Sequence, residues 1–167
     1  MSDTTTTAPT FQSHIGLDAE PRAGLITVLN GLLADAIDLQ LQAKLAHWNV
    51  RGAHFLPLHE LFDRVHGQSV AFTDLVAERI GQLGGLAEGN VQTVAARSRL
   101  EVYAQEPTPG TEHVQRVSAA LATFGSNGRE AIDLAGEHGD EVTADILTEV
   151  TRGVDELLWF VEAHLQG

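Results

Sequence analysis

His59 and Asp63 stand four residues apart, as do Asp74 and Glu78, in a stretch that reads as one helix. Residues at that spacing stack on one helix face. Each pair is therefore a two-ligand claw of imidazole or carboxylate, the donors that suit a divalent transition metal with open positions. His47 adds a third donor type in the preceding segment, Ala46-His47-Trp48-Asn49-Val50-Arg51-Gly52. Fifteen residues separate His59 from Asp74, roughly 22 Å at the α-helical rise. One helix cannot wrap both claws around one ion. An antiparallel second copy, crossing near its midpoint, would set His59 and Asp63 of one chain against Asp74 and Glu78 of the other. The spacing thus predicts a two-fold dimer with two equivalent metal sites at its interface.

The elements that must position these residues are legible from apolar spacing. The chain has 167 residues, enough for one domain with a sizeable core. Residues 1–20 read as a flexible polar arm, with Thr4 to Thr7 and Pro9 offering nothing to a core. Residues 21–167 read as the folded domain. From Pro21, which suits a first helical turn, Leu25, Val28, Leu29, Leu32, Ile37, Leu41, Leu45 and Trp48 recur at helical spacing as far as Val50, and Gly52 stops the helix. Pro57 opens a second helix, from Leu58 to about Leu83, closed by Gly84-Gly85. Residues 86–110 form the longest connection, with a short helix predicted from Val91 to Arg99. A third long helix runs from about Thr111 to His138, with Asn127-Gly128 as a weak point. The fourth runs from about Glu141 to Leu165. Nothing alternates at period two. Four long helices with one long crossover between the second and third predict an all-α, ferritin-like four-helix bundle.

Charge and composition narrow the chemistry. Lys44 and nine arginines face 23 carboxylates, for a net charge of −13. Such a surface attracts cations and repels the phosphate backbones that proteins grip with lysine and arginine. The first basic residue is Arg22, and none of Lys or Arg follows Trp159, so direct DNA binding is not expected. There is no cysteine, hence no thiolate zinc site and no cysteine nucleophile. No signal peptide and no membrane span are expected, and the cytoplasm is the expected compartment.

Di-iron bundles that build their centre inside one subunit use Glu-x-x-His motifs. None of the thirteen glutamates has a histidine three positions later. What remains is the split arrangement that the spacing predicts. The stretches His47-Trp48-Asn49-Val50-Arg51-Gly52, Leu58-His59-Glu60-Leu61-Phe62-Asp63 and Asp74-Leu75-Val76-Ala77-Glu78-Arg79 resemble the Dps family of miniferritins, as do Thr143-Ala144-Asp145-Ile146-Leu147 and Leu158-Trp159-Phe160. The resemblance implies a hollow homododecamer of four-helix subunits that oxidises Fe²⁺, preferably with H₂O₂, and stores the ferric product inside. It implies ferroxidase ligands at His47, His59 and Asp63 of one subunit and at Asp74 and Glu78 of its two-fold partner. It further implies acidic pores on three-fold axes, with Glu141 and Asp145 at the matching positions. Another family acid falls at Gly136, where this chain departs, with Glu137 beside it.

Other residues carry two readings each. His66 follows Asp63 on the same helix side and is either an extra ligand, for iron or Zn²⁺ in a resting site, or a packing residue near the dyad, where Gly67 and Ser69 are small enough for close helix approach. Trp48 is interface packing or an electron donor to stray oxidant. His54 is a structural or exposed loop histidine. Glu60 is an inner acid that would help nucleate mineral. Glu141 is a pore acid, a first-turn acid favoured by the helix dipole, or both. The rival functions are a nucleoid-compacting DNA-binding protein and a zinc or general metal buffer with little turnover.

Overall fold

Helix α1 (Ala19–Asn49) lies at the centre of the computed structural model, which describes residues 10–166. It is followed by α2 (Phe55–Gln82), the short α3 (Val91–Arg97), α4 (Gly110–Glu137) and α5 (Glu141–Glu162), with a last 3-10 turn at Ala163–Leu165. Among the described residues there is no strand. Short turns make antiparallel hairpins of α1 with α2 and of α4 with α5. The hairpins pack α1 on α4 and α2 on α5, with α3 laid against α1. The start of α4 meets the end of α1, where a Cβ on Gly110 would lie 3.1 Å from the Arg51 carbonyl oxygen. At the other end, Gly24 of α1 meets His138 after α4. The crossover at 83–109 therefore runs the length of the bundle, and α4 is parallel to α2. This is the predicted ferritin-like topology.

The position of α1 explains its composition. It touches α2, α4 and α3 and buries Leu25, Ile26, Leu29, Leu32, Leu33, Leu39, Ala43 and Ala46. A helix packed on most sides must be apolar on most sides. For that reason α1 is, by length and composition, apolar enough to cross a membrane, with 56 % of its most apolar window buried inside the fold. This corrects the expectation that no segment reaches that apolarity; a bundle core and a lipid core ask for the same residues.

Its few buried polar side chains hold the crossover. Asn30 donates to the Leu86 carbonyl (3.1 Å) and accepts from the Glu88 amide (2.9 Å). Asp35, fully buried, accepts from the Arg99 amide (2.8 Å), from Arg99 Nε (3.0 Å) and from Asn127 Nδ2 (3.0 Å). Ser98 donates to Asp38 (2.6 Å), and Gln42 donates to the Glu101 carbonyl (3.0 Å). Binding of the Arg99 amide to Asp35 also ends α3 at Arg97, two residues before the expected stop.

Other boundaries shift for local reasons. Helix α2 begins at Phe55 rather than Leu58, placing Pro57 in the first turn, where its missing N–H breaks no intrahelical bond. Asn127-Gly128 does not interrupt α4. A Cβ at Gly128 would lie 2.8 Å from Thr151 Oγ1, so the glycine lets α4 and α5 approach, while Asn127 reaches Asp35. The first nine residues of the expected arm lie outside the described residues. Residues 10–18 are non-helical, yet Ile15 and Leu17 pack against the core, and the Thr10 and Phe11 amides bond the Gly84 carbonyl (2.8 and 2.9 Å).

Two Schellman turns close the bundle at one end. After α2, Gly84 (φ +84°) leads Gly85 N–H to the Ile80 carbonyl (2.9 Å). After α4, Gly139 (φ +69°) leads Asp140 N–H to the Ala135 carbonyl (2.8 Å). Left-handed backbone makes glycine the natural residue at both positions. Asp140 then caps α5 by accepting from the Thr143 amide (3.0 Å), and it is gripped by both oxygens from buried Arg79 of α2 (2.8 and 2.9 Å). Burial by itself would push the Asp140 carboxyl up. The Thr143 hydroxyl and amide with the Arg79 guanidinium outweigh it and hold the group below its ordinary value. A carboxyl whose pKa is depressed by folding contributes stability above its unfolded value, near pH 4, that is lost as pH falls through the folded one. We predict that Asp140→Ala, which strands buried Arg79, costs about 3–5 kcal/mol in chemical denaturation. In Asp140→Asn the loss of melting temperature below pH 4 should be shallower than in the parent chain.

Candidate metal centre

His47 in the last turn of α1 and His59 in the first turns of α2 face one another across the α1–α2 turn. Their rings stack with centroids 3.7 Å apart and an interplanar angle of 21°. His47 Nδ1 lies 2.7 Å from the His59 carbonyl oxygen, and His59 Nδ1 lies 2.8 Å from the His47 carbonyl oxygen. A carbonyl oxygen only accepts, so each Nδ1 must carry the proton. In the neutral ring, the lone pair is then left on Nε2 of both histidines. Fixing the tautomer through a backbone carbonyl is how metal-ligating histidines are commonly oriented. Both rings are only partly exposed, so their directions are set by packing as well as by these bonds.

Asp63 lies one turn beyond His59 on α2, with its carboxylate 4.0 Å from His47 Nδ1. Its oxygen is taken by Lys44 of α1, one turn before His47. The hydrogen bond from Lys44 holds the Asp63 carboxyl below its ordinary value, so it is available as a charged donor. The chain's single lysine thus sits on one predicted ligand. Sequence reasoning missed this partner, although its spacing from His47 was a usable signal.

Asp74 and Glu78 are exposed, one turn apart further along α2, and neither makes a hydrogen bond or ion pair among the described residues. They do not meet His47, His59 and Asp63 within the subunit. Among the described residues no three metal-ligating side chains gather into one site. The single chain therefore offers two half-sites: a histidine pair with a lysine-held aspartate, and a pair of free carboxylates. His47 and His59 supply intermediate nitrogen donors and Asp63 a hard oxygen donor, a set that fits Fe²⁺ or Zn²⁺.

The remaining predicted residues are placed as follows. His66 is half-buried, with Nδ1 2.9 Å from the Gln40 carbonyl oxygen, so its Nε2 is also left free. Gly67 is exposed with open space around it. Ser69 is fully buried and donates to the Val65 carbonyl (2.8 Å); it faces its own subunit's core, which corrects the expectation of a small residue at the dyad. Trp48, His54 and Glu60 are exposed, and His54 occupies the N-cap position of α2. Glu141 and Asp145 are both exposed, one turn apart on α5 beside the buried Asp140, at the end where Gly136 and Glu137 are also exposed.

If Lys44 competes with a cation for Asp63, removing it should favour the cation. We predict that Lys44→Met tightens Co²⁺ or Zn²⁺ binding by about fivefold, the worth of a half-exposed ion pair of ~1 kcal/mol, in a direct titration of the assembled protein. An unchanged or weaker affinity would show that the ammonium supports the site instead.

The chain and its fold are similar to those of known proteins. The family model for the ferritin-like domain matches residues 26–167. The "DNA protection during starvation protein" of Agrobacterium fabrum is 38% identical over 157 residues, covering 94% of this chain and 97% of that protein. DpsA14 from Streptomyces coelicolor superposes with a TM-score of 0.90 at 32% identity, over 96% of both chains. The structure of Dps from Microbacterium arborescens in the high iron form matches with a TM-score of 0.84 at 31% identity, over 90% of this chain and 97% of that one.

Proposed function

Because the chain belongs to the Dps family of ferritin-like proteins, a family of iron storage and DNA protection, we propose that it is a cytoplasmic ferroxidase and iron store that works as a homododecamer. The observation that carries this reading is the reciprocal histidine clamp. It leaves an Nε2 lone pair on each ring, with Asp63 one turn beyond His59 on α2, while Asp74 and Glu78 make no hydrogen bond or ion pair among the described residues. Two antiparallel copies of α2 would bring the half-sites together, so that His47, His59 and Asp63 of one subunit with Asp74 and Glu78 of the other receive Fe²⁺ as substrate. The two free carboxylates would then gain a cation that solvent alone does not supply, and Lys44 would yield Asp63 to the incoming ion.

The chemistry is the oxidation of two ferrous ions by one H₂O₂. With two waters it gives two FeOOH and four protons. Each ferrous ion loses one electron and the O–O bond takes both, so no hydroxyl radical is released. The residues' part is to hold the ions at a fixed, partly dry interface. The hydrolysis protons leave through solvent-exposed carboxylates, of which Glu60 is one on the same helix. Glu141 and Asp145 lie on an exposed face at the bundle end. Three copies around a three-fold axis would focus the field that draws Fe²⁺ inward. The first-turn position of Glu141 also complements the α5 dipole, and the two roles are compatible.

Protection of DNA would then come through iron and peroxide removal rather than coating. Seven of the ten lysines and arginines are already paired with carboxylates: Lys44 and Arg64, Arg79, Arg97, Arg99, Arg116 and Arg129. That leaves little basic surface for phosphate.

The test is anaerobic loading with Fe²⁺ followed by H₂O₂, with ferric-oxo absorbance followed in time. His59→Ala/Asp63→Ala should slow the fast phase by on the order of 10–100-fold or more while the particle size in scattering is unchanged. Equal rates in both proteins would remove the assigned centre and leave metal buffering, with or without Zn²⁺ at His66, as the better reading. Nanomolar DNA retention in a gel shift at moderate salt would instead favour the architectural role.

A further inference from the structure

Asn49 and Arg51 belong to the segment that carries His47 but take no part in the histidine pair. Both line a cavity of about 720 Å³ between the end of α1, the last stretch of the crossover and the start of α4. Its apolar walls include Leu45, Tyr103, Pro107 and Pro109. His113 of α4 is also a lining residue, and it is 1 % exposed.

The hydrogen bond between His113 Nδ1 and the Tyr103 hydroxyl sets the polarity of this wall. Burial pushes the Tyr103 hydroxyl up to about 12, so the phenol keeps its proton. If Nδ1 donated to the phenol, both the phenolic proton and Nε2 would be left without partners. If the phenol donates to Nδ1, only one group is left over: a protonated Nε2. The second arrangement strands fewer buried polar groups and is the one expected. Burial also pushes the His113 imidazole down; the charges of Arg116 and Arg51 act in the same direction and Glu112 opposes them. The ring is neutral, with one N–H that is buried and has no acceptor among the described residues.

Arg51 supplies the second donor. One of its terminal nitrogens is fixed by the Trp48 and Val50 carbonyls (3.1 and 2.7 Å). It has no carboxylate partner among the described residues, although carboxylates outnumber basic residues 23 to 10 and hold seven of them. Glu106, the one carboxylate lining the cavity, is drawn off by Arg116 (3.1 Å). A guanidinium with no carboxylate partner among the described residues and apolar walls thus line one cavity, with His113, whose buried N–H is unpaired, as part of its wall.

We propose that this cavity binds a small monocarboxylate with an apolar or aromatic body. The carboxylate is held by Arg51 and the His113 Nε2–H, and the body lies against Tyr103 and the two prolines. Guanidinium recognises carboxylate by paired, charge-assisted bonds, and the orphan donor gains the acceptor that the described residues do not give it. The site is separate from the metal half-sites and does not depend on the ferroxidase reading.

The probe is benzoate, titrated calorimetrically into the assembled protein, with benzamide as its uncharged counterpart. Benzoate should bind the parent chain, and benzamide at least tenfold more weakly. Arg51→Met should weaken benzoate at least tenfold while the helical circular-dichroism signal is kept, since the side chain is exposed. Tyr103→Phe keeps the ring but frees Nδ1 to take the proton, turning Nε2 into an acceptor; it too should weaken benzoate. No heat of binding with the parent chain, equal affinity for benzamide, or full affinity in Arg51→Met would each overturn the proposal.

Discussion

A carboxylate buried in the middle of the central helix must be satisfied, and much of the architecture follows from how that is done. Asp35 is fully buried, and an unpaired charge there would cost far more than a small domain can spare. It is met by Arg99 from the crossover and Asn127 from α4. Three elements that are distant in sequence are thereby fixed in one register. Asn30, Asp38 and Gln42 repeat the device at neighbouring turns of α1. The long crossover, which has little helix of its own, is held as a strap along α1 rather than left as a loose loop. The apolar sides of α1 then supply the burial, and the polar rungs supply the alignment.

That alignment reaches the metal half-site through the α1–α2 hairpin. His47 and His59 come from two helices whose packing is already fixed, and each uses the other's backbone carbonyl to set its tautomer. The two rings cannot turn independently. Lys44 adds a charge one turn away that keeps Asp63 ionised and oriented while no cation is present. In the single chain both Nδ1–H groups and the Asp63 carboxylate have partners, and the two Nε2 lone pairs remain open. Asp74 and Glu78, by contrast, are exposed and have no protein partner among the described residues. The asymmetry is what a site completed by a second copy would require: one half rigid and pre-formed, the other free to accept.

The two ends of the bundle differ in the same spirit. At one end, Arg79, Asp140 and Thr143 tie α2 to the α4–α5 turn through buried hydrogen bonds, which leaves Glu141 and Asp145 exposed and without an ion pair among the described residues. At the other end, the crossover arrives over Tyr103 and His113 and leaves a cavity beside them.

The sequence by itself determined the helices, their order and the spacing of the candidate ligands. Apolar residues at 3.6-residue intervals, Gly84 and Gly139 at the stops, and the pairs His59/Asp63 and Asp74/Glu78 are local properties, and local periodicity is what a sequence displays directly. It also singled out His47 as a candidate, because the segment around it is distinctive in type and order. The tertiary structure alone decided what each polar side chain meets. That Lys44 covers Asp63, that Ser69 faces the core, that Asn127-Gly128 is a packing contact rather than a break, and that Asp35 selects Arg99 are all contacts between distant positions. Their energies depend on burial and on partners brought together by folding, and no spacing along one helix encodes them. The same reason explains α1: its composition suits a lipid bilayer or a bundle core equally, and only the helices packed around it choose between the two.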